Sequence, residues 1–268
     1  MSLGKKLRGR RLWKNGRTVV VPLDHPLYFG PLPGVEDPVA LVRTAAEAGA
    51  DAVLVSPGTL ELVADVLGDM AVLLRIDGTH TRLGQHLERI DLISSVEEAA
   101  RMGVEAVALN IYVGADNEDA LLAKLARVAQ DCRQYGLLLV GEMIPAPLLA
   151  AHYGRERAEL TDETKTEYIA LAARVGAEIG ADVLKLNYSG SRDSFASIVR
   201  KATRPILVAG GIKSGDDQEF LQSVREAMRA GAAGVCIGRN VWQRPDVSAM
   251  IGALSAIVHD QSRHAVVH

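Results

Sequence analysis

The stretch "GAEIGADVLKLNYSG" (176–190) runs from the end of a helix, through a glycine, straight into an apolar strand. Val183, Leu184 and Leu186 are the residues an interior strand of a parallel sheet contains. The lead-in recurs in "AAEAGAD" (45–51) and "AMRAGAAG" (227–234), where small residues and a capping glycine also close a helix before a strand. Working outward, strands are predicted at "TVVVPL" (18–23), "DAVLVS" (51–56), "VLLRI" (72–76) and "AVALN" (106–110). Four more follow at "LLLVGE" (137–142), "VLKLNY" (183–188), "ILVAG" (206–210) and "GVCIG" (234–238). Helical periodicity fills the intervals, as in "NEDALLAKLARVAQDCRQYG" (117–136). Eight strands alternating with helices read as an α/β fold, a single (β/α)8 TIM barrel over residues 1–268 with a basic N-terminal segment at 1–17. An open doubly wound sheet has fewer strands as a rule, and no GxGxxG follows the first strand here.

Composition supports this reading and removes others. The 268 residues are close to the roughly 250 that one barrel occupies. A net charge of −3 offers no general attraction to nucleic acid or to an anionic membrane. No run approaches the ~20 apolar residues that span a bilayer. The basic run "GKKLRGRR" (4–11) reads as a solvated helix face, and no apolar segment follows it as in a signal peptide. Cys132 and Cys236 lie far apart without ligand or redox spacing, as in reduced, structural thiols of a cytoplasmic protein.

In such a barrel the chemistry belongs at the C-terminal ends of the strands. Asp24, His25, Ser56, Asp77, Asn110, Glu142, Lys185, Tyr188, Gly210, Gly211, Gly238 and Arg239 stand at or just past those ends. Lys185 interrupts an apolar strand. Facing inward it would lose solvation, which lowers its pKa and frees an amine able to attack a carbonyl. Facing outward it would lay its stem along a helix and pair at the surface, and spacing leaves both faces open. In "VPLDHP" (21–26), Asp24 could move a proton or, with His25, cap a turn. "VAGGIKSG" (208–215) and "GVCIGRNVW" (234–242) bring glycine amides and Arg239 to consecutive strand ends, where barrels of this architecture hold phosphate. Lys213 faces that anion or solvent. His80 and His86 in "DGTHTRLGQH" (77–86) lack metal-ligand spacing, and no GxSxG anchors a hydrolase triad, so no metal and no cofactor are expected.

Taken together, "VVVPLDHPLYFGPLPG" (19–34), "VLKLNYSG" (183–190), "VAGGIKSGDDQEFL" (208–221) and "AGAAGVCIGRNVWQR" (230–244) resemble the archaeal-type class I fructose-bisphosphate aldolase family. That family has aminodideoxyheptulosonate synthase and the autoinducer-2 phosphate thiolase as relatives. The resemblance runs from about Lys5 to His259. It implies a Schiff-base lysine at Lys185, a strand 1 acid at Asp24, and phosphate loops at Gly210, Gly211, Gly238 and Arg239. It also implies a homo-oligomer, a small phosphorylated carbonyl substrate and no metal.

One position departs from the pattern. The sugar-phosphate aldolases end strand 5 in Tyr-Pro, whose phenol moves protons on the substrate, whereas "GEMIPAP" (141–147) has Ile144 before Pro145. Glu142 is the first candidate for the vacated acid role, with Tyr112, Tyr153 and Tyr188 behind it. A structural ion pair of Glu142 with Arg75 is the competing reading. Three functions follow: a Schiff-base aldolase or transaldol-type lyase on a phosphorylated ketose or keto compound, a thiolase-like acyltransferase on a phosphorylated diketone, or a silent sugar-phosphate binder.

Overall fold

The computed structural model describes residues 2–152, 160–211 and 213–260. Its strands are β1 (Thr18–Pro22), β2 (Ala52–Val55), β3 (Ala71–Arg75), β4 (Ala106–Val113), β5 (Leu138–Pro145), β6 (Val183–Asn187), β7 (Ile206–Ala209) and β8 (Gly234–Cys236). They close in sequence order into a barrel, every pair parallel, with β8 returning to β1. The helices are α1 (Leu3–Leu12), α2 (Pro26–Phe29), α3 (Pro38–Glu47), α4 (Pro57–Val63), α5 (Val96–Arg101) and α6 (Glu118–Tyr135). They continue as α7 (Ala146–His152), α8 (Asp162–Ile179), α9 (Arg192–Ala202), α10 (Asp217–Arg229), α11 (Arg239–Trp242) and α12 (Val247–His259). The capping glycines behave as their phrase predicts: Gly49, Gly180 and Gly231 have φ of 86°, 126° and 106°, a region costly for other residues.

Side chains alternate in and out along each strand, and this sorts the interior into layers. Leu12, Leu54, Leu73, Val140, Val183 and Leu207 belong to an apolar floor inside the barrel. Two residues further along their strands stand Arg75, Glu142 and Lys185, all buried on the same inward face. A polar storey therefore sits on an apolar one. Strands β4 and β5 run three residues beyond the expected ends at Asn110 and Glu142. Those inward polar residues imitate strand ends in the sequence, yet the ladder continues to Tyr112 opposite Ile144 and Val113 opposite Pro145.

The basic N-terminal run corrects its reading as a solvated face. Lys6 and Arg10 of α1 are exposed, but Lys5, Gly9 and Leu12 are buried at the N-terminal end of the barrel. The residues just before β2, β4 and β6 are Asp51, Glu105 and Asp182, all acidic. Their carboxylates accept the backbone N–H of the preceding strand, at Val19 (2.7 Å), Val72 (2.8 Å) and Leu139 (2.9 Å). Each also pairs with one N-terminal cation: Lys14 with Asp51 at 2.8 Å, Arg11 with Glu105 at 2.9 Å, and Lys5 with Asp182 at 2.6 Å. The charge holds α1 across the barrel floor.

Candidate active site

Strand register places Lys185 directly beside Glu142 on the neighbouring strand. The Lys185 ammonium donates to Glu142 Oε1 at 2.8 Å, and Glu142 Oε2 accepts from Arg75 Nη2 at 2.5 Å. Arg75 Nε donates to Asp24 Oδ2 at 2.8 Å, and its Nη1 lies 3.6 Å from Asp77 Oδ1. Asp77 Oδ2 takes the Lys124 ammonium at 2.8 Å and the Asn110 amide N–H at 2.8 Å. Three carboxylates thus face three cations in one buried layer, and charge balance is what makes their burial tolerable.

Electrostatics distinguishes these groups. Burial lowers the Lys185 ammonium, as its sequence leads one to expect, but the Glu142 and Asp24 carboxylates act the other way and win. Lys185 therefore sits above its ordinary value, and the expected depression is corrected. Burial pushes Asp24 up, yet Arg75, His25 and Lys185 hold it well below the usual carboxylate range. Burial raises Asp77 despite Lys124 and Arg75. For Cys236 burial dominates, pushing the thiol up to about 12, so it is neutral at physiological pH.

Two cavities open on Lys185 and Glu142. One, with an empty volume of ≈ 390 Å³ including its open mouth, is walled by these two, by Ile144 and Cys236, and by Gly210, Gly211, Gly238 and Arg239. The other, of ≈ 280 Å³, is walled by Asp24, His25, Tyr28, Phe29, Arg75 and Asn110 as well. The barrel mouth thus gathers Asp24, Glu142, Lys185, Gly210, Gly211, Gly238 and Arg239. Lys185 faces inward and is paired, its partner being a carboxylate that can carry a proton.

The segment from Gly238 to Arg244 locks the mouth. A Cβ on Gly238 would stand 2.9 Å from both the His25 ring and the Trp242 indole nitrogen, so only glycine fits. Asn240 donates to Gly210 O at 2.8 Å and accepts from Ser214 N at 2.7 Å, tying the loop after β8 to the loop after β7. Trp242 Nε1 donates to Pro22 O at 3.1 Å, and Arg244 to Ser214 O at 2.9 Å. Lys213 donates to Gln243 O at 2.7 Å, so its ammonium serves this lock.

The other expectations divide. Tyr188 donates to Glu226 on α10 at 2.9 Å and walls neither of the two cavities that open on Lys185. Tyr112 is buried beside Ile144 in register, with its ring 6.4 Å from that of His80. Tyr153 lies outside the described residues. His80 is buried and His86 is exposed beside Glu88. Glu142 makes the expected ion pair with Arg75 and is bonded to Lys185 as well. Sequence reasoning passed over Tyr28, Lys124, Cys236 and Asn240. Lys124 carries the same mark as Lys185, a charge within the apolar run "LLAKL" (121–125), but the helix hid it as a surface residue.

Comparison with known proteins agrees with this geometry. The profile of the DeoC/LacD family aldolases matches residues 18–244. The chain is 38% identical over 259 residues to 2-amino-3,7-dideoxy-D-threo-hept-6-ulosonate synthase of Halobacterium salinarum, covering 97% of this chain and 93% of that one. It is 33% identical over 253 residues to class 1 fructose-bisphosphate aldolase of Thermoproteus tenax, covering 92% and 91%. The solved structure of an archaeal fructose-1,6-bisphosphate aldolase, its catalytic Lys covalently bound to the carbinolamine intermediate, superposes with a TM-score of 0.83. It has 31% identity and covers 95% of this chain and 99% of that one.

Proposed function

Since the chain belongs to the DeoC/LacD family of aldolases, we propose that it makes or breaks a carbon–carbon bond of a phosphorylated ketose or keto compound through an imine on Lys185. The observation that carries this reading is the Lys185 ammonium, buried and 2.8 Å from Glu142, in a cavity that ends on two glycine loops and Arg239.

The chemistry follows from that contact. An ammonium cannot attack a carbonyl, and Lys185 must first lose a proton. Glu142 Oε1 takes it. The neutral amine adds to the substrate carbonyl, and Glu142 returns the proton to the carbinolamine oxygen, which leaves as water. The iminium then draws in the electron pair of the bond that breaks. Asp24 stays charged throughout because Arg75 holds it, so it supplies fixed negative charge beside the iminium and not a proton path. Gly210, Gly211, Gly238 and Arg239 line the same cavity, and in this reading their backbone amides and guanidinium hold the phosphate.

Trapping tests the reading. Borohydride added with fructose 1,6-bisphosphate, or with a panel of other phosphorylated ketoses and keto acids, should reduce the imine to a stable adduct that peptide mass spectrometry maps to Lys185. Lys185→Arg should give no adduct and no turnover, because a guanidinium keeps the charge but forms no imine. An adduct on another lysine would overturn the assignment. We also infer a homo-oligomer acting in the cytoplasm; Leu3 and Leu7, 71% and 52% exposed one turn apart on α1, offer an apolar stripe for a second copy. No helix among the described residues is long and apolar enough to cross a membrane.

A further inference from the structure

We propose that Tyr28 gives and takes the proton at the substrate carbon next to the imine, and that the smaller cavity it walls receives the departing half of the substrate. This rests on the imine reading of Lys185.

Tyr28 sits on α2, the short helix that follows Asp24 across the barrel mouth, and is buried. Its hydroxyl donates to the carbonyl of Asp77 at 3.2 Å and accepts from Asn110 Nδ2 at 2.8 Å. Its ring stacks on His80, with centroids 5.2 Å apart and planes at 26°. The phenol is held by the loop after β3 and by β4, and it walls a cavity shared with Lys185, Glu142, Arg75 and Asn110.

Bond cleavage leaves an enamine on Lys185, and its terminal carbon must gain a proton before water can release the product. The charged groups of the layer are poor sources. Asp24 is held ionised by Arg75, an arginine does not release a proton, and Glu142 enters the step as the carboxylate that takes the proton of the departing hydroxyl. A phenol is neutral and has a proton to give. Ile144, on the wall of the larger cavity, has none.

The step balances as follows. The carbon–carbon bond breaks and its electron pair enters the iminium. The hydroxyl proton of the departing carbon passes to the Glu142 carboxylate as that carbon becomes an aldehyde. Tyr28 gives its proton to the enamine carbon, restoring the iminium. The Asn110 amide holds the phenolate, and Arg75 lies on the same wall. Water exchanging with both groups carries the proton from Glu142 back to Tyr28. In the condensing direction every transfer runs in reverse. The departing half is a small aldehyde, placed against the Asn110 amide and the Phe29 ring.

Tyr28→Phe separates this role from the imine. With dihydroxyacetone phosphate, the smallest phosphorylated ketone able to form the imine and exchange an adjacent proton, wild type should trap on Lys185 with borohydride and wash deuterium from solvent into the ketone. Tyr28→Phe should trap to the same extent, which also shows that it folds, while exchange falls ~10²-fold or more, the usual worth of a general acid. Exchange within threefold of wild type would overturn the proposal. So would loss of trapping together with exchange, the mark of a structural role. Absence of trapping in wild type would overturn the imine reading and this one with it.

Discussion

His80 packs against Tyr28 at the edge of the site and makes a proton sensor of fold stability. Burial first, and the nearby Lys124 charge second, push its imidazole down to about 4 from an ordinary 6.5. Between these values the unfolded chain binds the proton and the folded one does not. The contribution is therefore intact above pH 6.5 and declines as pH falls toward 4. Asp24 titrates far lower, so its own contribution stays constant through that window. Urea midpoints measured at pH 7 and pH 5 should differ in wild type, and His80→Gln should narrow the gap. The residue scale is also where the sequence was most informative. Lys185 showed itself as a charge inside an apolar strand, and the glycines of the mouth showed themselves by clustering. Arg75 interrupts "VLLRI" in the same way, but its role as hub depends on Asp24 and Glu142, 51 and 67 residues away. No local pattern announces such a meeting.

The N-terminal segment, α1 with Lys14 just beyond it, is held by three ion pairs of unequal worth. The Lys5 and Asp182 side chains are only 5% and 11% exposed, so losing one partner strands a desolvated charge. Lys5→Ala should cost about 3–5 kcal/mol. Arg11, with 56% of its side chain in solvent, pairs with Glu105 through water-screened charge, and Arg11→Ala should cost about 1 kcal/mol or less. Chemical denaturation of the two variants side by side checks the contrast. At this scale strands and their order were legible because apolar runs and capping glycines repeat. The plug was not. Basic residues at helical spacing look alike whether their partners are water or a buried carboxylate. Asp51 and Asp182 close the phrases "AAEAGAD" and "GAEIGAD", but their hydrogen bonds to β1 and β5 exist only after the sheet has formed.

The whole barrel depends on one seam, where the last strand meets the first. Gly234 pairs with Thr18 across it and with Leu207 on its other side. A Cβ there would lie 2.1 Å from the Thr18 carbonyl oxygen, and backbone cannot step aside as a side-chain tip can. Gly234→Ala should therefore destabilise by about 3 kcal/mol, the upper end of ordinary overpacking, and calorimetry should show the lowered Tm. The clamp of α1 has a consequence in time. Lys5 and Asp182 are 177 residues apart, and synthesis proceeds at about 5–20 residues per second. The ribosome therefore delivers Asp182 roughly 9–35 s after Lys5. Throughout that interval the helix made first lacks its most deeply buried partner, and the segment that is born earliest is among the last to be fully fastened.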